Sequence, residues 1–305
     1  MENVFCIILS KYRLYQGIAL YRSLQFNYPS FSMVILCVDD ETYDICSKLG
    51  LERAILLREA DLLNEELIIA KGTRRLNEYC WTLKPFLLEY VLQRLNNVAN
   101  VIYMDADICF FNSPKRLFKQ NDPYNILLSE HDYLDKDRQV ESFCGKYNSG
   151  FIVFRNCPTS LNALRWWQEK CIDWCYDGVD EGRFGDQKYL DSFPALFDGV
   201  YSIKTPGINI APWNDSRYTF RHRGNDIYVN ENKLICYHYC GFRIMDKNTY
   251  ALLMGDQNQN PIIHNPYTVV LQQVMRDIDA VAPNFVGYFV EKQFENKVKV
   301  YKMTR

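Results

Sequence analysis

The chain has 305 residues, enough for one large α/β domain or two small ones and for a substantial core. Its 35 basic and 37 acidic side chains leave a formal net charge of -2, which argues against a nucleic-acid binder with its basic face. Eleven cysteines lack the close pairing of zinc knuckles or of a small disulfide framework, so they read as free, buried thiols in a reducing cytoplasm.

No apolar stretch reaches transmembrane length, and Val4 to Leu9, followed by Lys11 and Arg13, is too short for a signal-peptide core. That run predicts a first strand, and Tyr15 to Phe26 has helical spacing through Ile18, Leu20, Tyr21 and Leu24. Phe31 to Val38 predicts a second strand closed by Asp39 and Asp40; a helix over Thr42 to Leu49 and a strand over Ala54 to Leu57 follow. Such a β-α-β-α-β opening suits a parallel, helix-covered sheet that binds a nucleotide at its strand ends. Neither a Gly-x-Gly-x-x-Gly turn nor a Walker-type loop is present, so phosphates must be held another way. Asp61 to Lys71 and Tyr79 to Leu95 read as helices, the second interrupted at Pro85. Lys84, near its start, is either a solvated surface lysine or a phosphate or sugar contact.

Val101 to Phe111 is an apolar run carrying two carboxylates. Side chains alternate in extended chain, so Asp105 and Asp107 point one way and Ala106 the other. Two buried carboxylates repel at a cost of roughly several kcal/mol unless a cation or hydrogen-bond donors intervene, and Mg²⁺ or Mn²⁺ is the simplest partner. The pair could equally be two solvated or capping carboxylates. Context favours metal: Ser113 is a potential N-cap and Pro114 a first helical residue, which puts the pair where a strand hands over to a helix.

Tyr124 to Ser129 predicts a strand delivering Glu130, His131 and Asp132 to the cleft or to a turn. Asn148-Ser149-Gly150 reads as a turn ahead of an apolar strand. Leu161 to Tyr176 is an amphipathic helix with Leu164, Trp167, Cys171 and Trp174 toward the core, and Asp186-Gln187 open a short helix after a glycine-bracketed loop. Tyr201 to Lys204 predicts a strand, and Gly207 to Asn214 a loop whose indole and carboxamides suit a hydroxylated ring. Ile235 to Cys240 reads as a strand; Cys236, His238 and Cys240 would share one face, a zinc alternative that lacks a fourth ligand. A polar loop over Asp256 to Asn265, a helix over Tyr267 to Ala280 and a basic tail from Lys292 to Arg305, suited to an anionic membrane surface, complete the chain.

Five segments in order, Tyr103-Met104-Asp105-Ala106-Asp107, Lys146 to Phe151, Gly185 to Leu190, Ala211 to Asn214 and His238 to Gly241, resemble the nucleotide-sugar glycosyltransferases of the GT-A fold, close to the family-8 retaining enzymes and their bacterial relatives. The resemblance implies an α/β, Rossmann-like, mostly parallel sheet covered by helices, with a catalytic domain over 1–243 and a C-terminal extension over 244–305 packed on or beside it. By that likeness Asp105, Asp107 and His238 hold Mn²⁺ or Mg²⁺. Lys84, Ala106, Asn148, Ser149 and Gly150 face the donor, Asp186 and Gln187 lie beside the anomeric carbon, and Trp213 and Asn214 fall on the acceptor side. Two departures stand out: Arg243 comes one position early in place of the lysine of His-x-x-Gly-x-x-Lys, and Ser10-Lys11-Tyr12 lacks the usual acidic residue, leaving Tyr12 to stack on the base.

The expected reaction is retaining transfer of a hexose from a nucleoside diphosphate sugar, UDP-sugar first, to a glycan or lipid-linked saccharide. A nucleotidyl or phosphoryl transferase and a catalytically inactive sugar-nucleotide binder are the alternatives. The expected setting is the cytoplasm, at most peripheral to the inner face of the membrane.

Overall fold

The structure, a computed structural model, describes residues 2–119, 123–289 and 298–304. Strand β1 (Glu2–Leu9) is buried from Val4 onward and takes the centre of a seven-stranded sheet, as an apolar run covered on both faces must. β2 (Ser32–Cys37) and β3 (Ala54–Arg58) extend the sheet on one side and β4 (Val98–Met104) on the other, all parallel. Their crossovers are α1 (Leu14–Asn27), α2 (Asp40–Lys48), α3 (Glu65–Thr73) and α4 (Leu76–Arg94). Beyond β4 lie β7 (Tyr147–Arg155), β6 (Ile126–Glu130) and β8 (Val200–Ser202), giving the order β3-β2-β1-β4-β7-β6-β8. Only β7 runs against its neighbours. This is the expected mixed, mostly parallel α/β sheet.

Several local expectations change. Pro85 does not interrupt α4, because Leu83, Leu87, Leu88 and Val91 bury the helix continuously and offset the lost backbone bond. Ser113 and Pro114 do not start an α-helix. After Asp107 the chain forms β5 (Ile108–Phe110), and only a 3-10 stretch follows at Pro114–Lys119. Asn148-Ser149-Gly150 is not a turn but part of β7; Gly150 O accepts the Asp105 amide at 2.8 Å, and pairing on both sides overrides turn propensity. On the β6 side the register jumps from Leu128–Ile152 to Ser129–Asn148, so β7 bulges toward the end of β4.

α5 (Gln139–Cys144) precedes β7, α6 (Pro158–Asp173) and α7 (Phe193–Leu196) pack Trp167 and Phe193 on Phe154 of β7, and a small antiparallel sheet of β9 (Phe220–Arg223), β10 (Asp226–Val229) and β11 (Asn232–Lys233) follows. α6 stops before Trp174, which is half-buried. β12 (Cys236–His238) pairs antiparallel with β5. β13 (Phe242–Asp246), β14 (Thr249–Leu252) and β15 (Val300–Lys302) form a last sheet, and α8 (Pro261–Val281) begins inside the expected polar loop with Asn260 as its N-cap.

Apolar side chains form one cluster on each face of the main sheet. One gathers α4 and α6; the other joins α1 and β12 to α8, where the rings of Tyr239 and Tyr267 stack at 3.7 Å. Position 243 thus lies inside β13, and residues beyond it share that core. All eleven cysteines are unpaired. No helix among the described residues is long and apolar enough to cross a membrane. Of the basic tail, residues 292–297 and 305 lie outside the described residues.

Candidate active site

β4 ends at Met104 and the chain turns through Asp105, Ala106 and Asp107 into β5. Because β5 pairs with β12, His238 stands opposite Ile108, and the Tyr239 amide donates to Asp107 O at 2.7 Å. An imidazole more than a hundred residues away is thereby delivered to the acidic pair. His238 Nε2 lies 3.0 Å from Asp107 Oδ1 and 3.8 Å from Asp105 Oδ2. Burial opposes both charges, but the close contact wins: Asp107 is held below the usual carboxylate range and His238 is raised.

Asn209 fixes the imidazole. Its Oδ1 lies 3.1 Å from His238 Nδ1 and its Nδ2 donates to Asn148 Oδ1 at 3.1 Å, an arrangement that leaves Nε2 to the carboxylates. Asn148 Oδ1 also accepts the Gly150 amide at 3.0 Å. Gly150 lines the floor: a Cβ there would meet His238 Cε1 at 2.6 Å, Asn148 Oδ1 at 2.7 Å and Asp105 Oδ2 at 2.8 Å.

Lys84 is not at the start of its helix and not solvated; it is 1% exposed, in the middle of α4. Its ammonium reaches Asp105 Oδ1 at 3.2 Å, Asp186 Oδ2 at 3.1 Å and Ser149 Oγ at 2.9 Å. Burial disfavours the charge, yet the two carboxylates raise Lys84 above its ordinary value. Asp186 is shifted up by burial, with Lys84 opposing. Asp186 is anchored from the core, where Trp167 Nε1 donates to its backbone oxygen at 2.8 Å. Gln187 Nε2 donates to Cys144 O at 2.8 Å, and the helical stretch expected after it is a 3-10 turn, Lys188–Ser192.

Trp213 is half-buried and packs edge-on against His238, with centroids 5.2 Å apart, and against His131 at 5.3 Å. Its Nε1 is buried with no hydrogen-bond partner among the described residues. Asn214 is committed to the backbone, accepting from Ala211 N at 3.1 Å and donating to His131 O at 2.7 Å. Arg243 is half-buried beside Arg13; burial and then Arg13 push it down, and both guanidiniums lie in the field of Asp107. Tyr12 is 55% exposed at the end of the β1 loop, with Lys11 Nζ 5.5 Å over its ring. Ala106 is nearly buried between the two aspartates.

Sequence reasoning missed Asn209 and Arg13 as members of this constellation, and read His131 only as reaching the cleft or a turn. Asn209 carried a usable signal, a carboxamide in a loop already read as suited to sugars. His131, pushed down to about 3 by burial and so neutral, was legible as a polar residue at a strand end beside the cleft or a turn; Arg13 carried no signal, because only tertiary packing brings it here.

The residues fit a hard divalent cation. Asp107 and the oriented imidazole meet directly, and Asp105 Oδ2 stands 3.8 Å from the same imidazole nitrogen, above a position where a Cβ would intrude. Cys240 Sγ is also within 4.8 Å of the Asp107 and His238 ligand atoms, but burial pushes that thiol up to about 12. Cys236 takes no part, since its sulfur accepts the Asn209 amide at 3.3 Å.

Residues 31–193 match the family model described as nucleotide-diphospho-sugar transferase. The uncharacterized Bacillus subtilis (strain 168) protein YfnF is 35% identical over 296 residues, covering 94% of this chain and 98% of its own. YfnD of the same organism is 29% identical over 294 residues, covering 94% of each. Among solved structures, the galactosyltransferase LgtC in complex with donor and acceptor sugar analogs has a TM-score of 0.57 at 13% identity, covering 96% of this chain and 99% of its own, which shows a shared fold. With over half its length matched by the family model and a relative at this identity across nearly all of it, the chain belongs to the nucleotide-diphospho-sugar transferases and is a glycosyltransferase of GT-A architecture.

Proposed function

We propose that this glycosyltransferase moves a hexosyl group from a UDP-sugar to a hydroxyl of a glycan or lipid-linked saccharide, with retention and with dependence on Mn²⁺ or Mg²⁺. The observation that carries the reading is the meeting of Asp105, Asp107 and His238, from two distant strands, over Gly150. A cation held there supplies Lewis-acid neutralisation of the diphosphate. The bond from anomeric carbon to β-phosphate oxygen breaks, the acceptor oxygen bonds to that carbon on the same face, and its proton passes to the leaving oxygen. Arg243 and Arg13 add fixed positive charge on the diphosphate side. Asp186, locked by Lys84, places negative charge where the anomeric carbon becomes positive, and Gln187 lies next to it. Trp213 Nε1, an unpartnered buried donor, suits a sugar hydroxyl. Tyr12 offers an exposed ring to the base. In this reading residues 1–243 bind the donor and the extension after 243 buttresses β12, while the free thiols fit a reducing cytoplasm.

The test is incubation with UDP-glucose, UDP-galactose and UDP-N-acetylglucosamine and a panel of methyl glycosides as acceptors, with Mn²⁺ or EDTA, measuring UDP release and the anomeric proton of the product by NMR. Metal-dependent release and an α-linked product support the reading. Equal turnover in EDTA, or an inverted linkage, overturns it.

A further inference from the structure

β12 faces two ways. His238 points at Asp105 and Asp107, while its neighbour Tyr237 points to the opposite side, as alternation along a strand requires. There Tyr237 lines a separate cavity of about 360 Å³, at the small end of ligand sites and on the scale of one sugar ring. The walls combine ring faces, Tyr218 and Phe220, with groups that bind hydroxyls, Asp215, Gln259 and His264. Asp215 Oδ2 accepts the Tyr237 hydroxyl at 2.7 Å, and no cation pairs with Asp215 among the described residues. The nearby Asp256 is bound instead to Lys136 at 3.3 Å. Asp215 therefore offers acceptor capacity to the cavity with its orientation already set.

The rim is built closely. Gly255 has φ +64, and a Cβ on it would lie 2.5 Å from Pro212 O, so only glycine lets the loop after β14 approach the loop carrying Trp213. One short loop thus borders both spaces: Trp213 packs on His238, while Pro212 and Asp215 line the cavity. Aromatic faces beside carboxylate and carboxamide groups recognise a pyranose by stacking and by paired hydrogen bonds to neighbouring hydroxyls.

We propose that this cavity is a second saccharide site, holding a sugar unit of the acceptor away from the hydroxyl that reacts. It rests on the transferase reading only in naming the ligand as acceptor; its existence is tested separately.

The experiment is saturation-transfer NMR with the methyl glycosides of glucose, galactose, mannose and rhamnose, run on protein saturated with UDP and Mn²⁺. At least one glycoside is expected to bind under these conditions. Asp215→Asn and Gln259→Ala, each verified by circular dichroism to be folded, are expected to weaken it at least tenfold. No glycoside bound, or binding indifferent to both substitutions, overturns the proposal. UDP-glucose hydrolysis by the unaltered protein reports on the transferase reading alone, so turnover without glycoside binding sinks only the second site, and glycoside binding without turnover sinks only the first reading.

Discussion

Gly150→Ala puts the geometry of the cation site under the sharpest test. The added methyl would stand 2.6 Å from His238 Cε1 and 2.8 Å from Asp105 Oδ2, whereas ordinary contact begins at 3.4 Å, so the two groups must retreat by about 0.6–0.8 Å. They cannot retreat freely: Asn209 holds the imidazole, and the Gly150 backbone is tied at its oxygen to Asp105 N and at its amide to Asn148. Overpacking of this kind costs about 1–3 kcal/mol. Displacing metal ligands by disturbing the groups behind them lowers affinity about 10–100-fold, and a misplacement near 1 Å lowers rate by about 100-fold. Isothermal titration with Mn²⁺ in the presence of UDP reads the first effect and UDP release from UDP-sugar the second. Unchanged Mn²⁺ affinity and turnover in a folded Gly150→Ala protein would refute the idea that Asp105, His238 and this glycine form one site.

Other substitutions separate positioning from charge. Lys84→Met leaves Asp105 and Asp186 facing each other without their cation and is expected to cost about 3–5 kcal/mol in urea denaturation; a loss under 1 kcal/mol would contradict the buried pairing. Asn209→Ala, which removes the imidazole's anchor, should weaken Mn²⁺ binding about 10–100-fold with little change in melting temperature. His264 is buried and lowered to about 4, so the unfolded chain takes up its proton below about 6.5 and the folded one does not. Its contribution is therefore complete above pH 6.5 and declines as pH falls toward 4, by about 2–3 kcal/mol. His264→Gln should flatten that part of the stability profile, and an unchanged slope between pH 6.5 and 4.5 would show the ring to be solvated.

The alternating β and α segments up to Leu57 were readable because each strand is a short apolar run and the helices between them carry apolar residues at helical spacing, even though α1 is buried almost all round. The acidic pair was readable for a related reason, two carboxylates in an otherwise apolar run. What the chain conceals is pairing between distant segments. Nothing local shows that β5 and β12 meet, and that pairing is what brings His238 to Asp107; the family resemblance supplied the link instead. Lys84 was misplaced because a charged residue beside Pro85 looks like a helix entrance, when burial against Asp105 and Asp186 decides its place. Asn148-Ser149-Gly150 has turn chemistry, but strand partners on both sides take its backbone bonds. Asn214, read from its sequence as a sugar ligand, has its side chain hydrogen-bonded to the backbone of Ala211 and of His131, partners that no local pattern shows.

The most direct measurement is the melting temperature with UDP, in Mn²⁺ and in EDTA, for the unaltered protein and for Asp107→Ala. A ligand bound only by the native state at about 100 times its dissociation constant adds about 2.7 kcal/mol. Stabilisation by UDP should appear with Mn²⁺, vanish in EDTA and be absent from Asp107→Ala. Equal stabilisation by UDP in Mn²⁺ and in EDTA, or its persistence in Asp107→Ala, would contradict a diphosphate held through a cation on these residues.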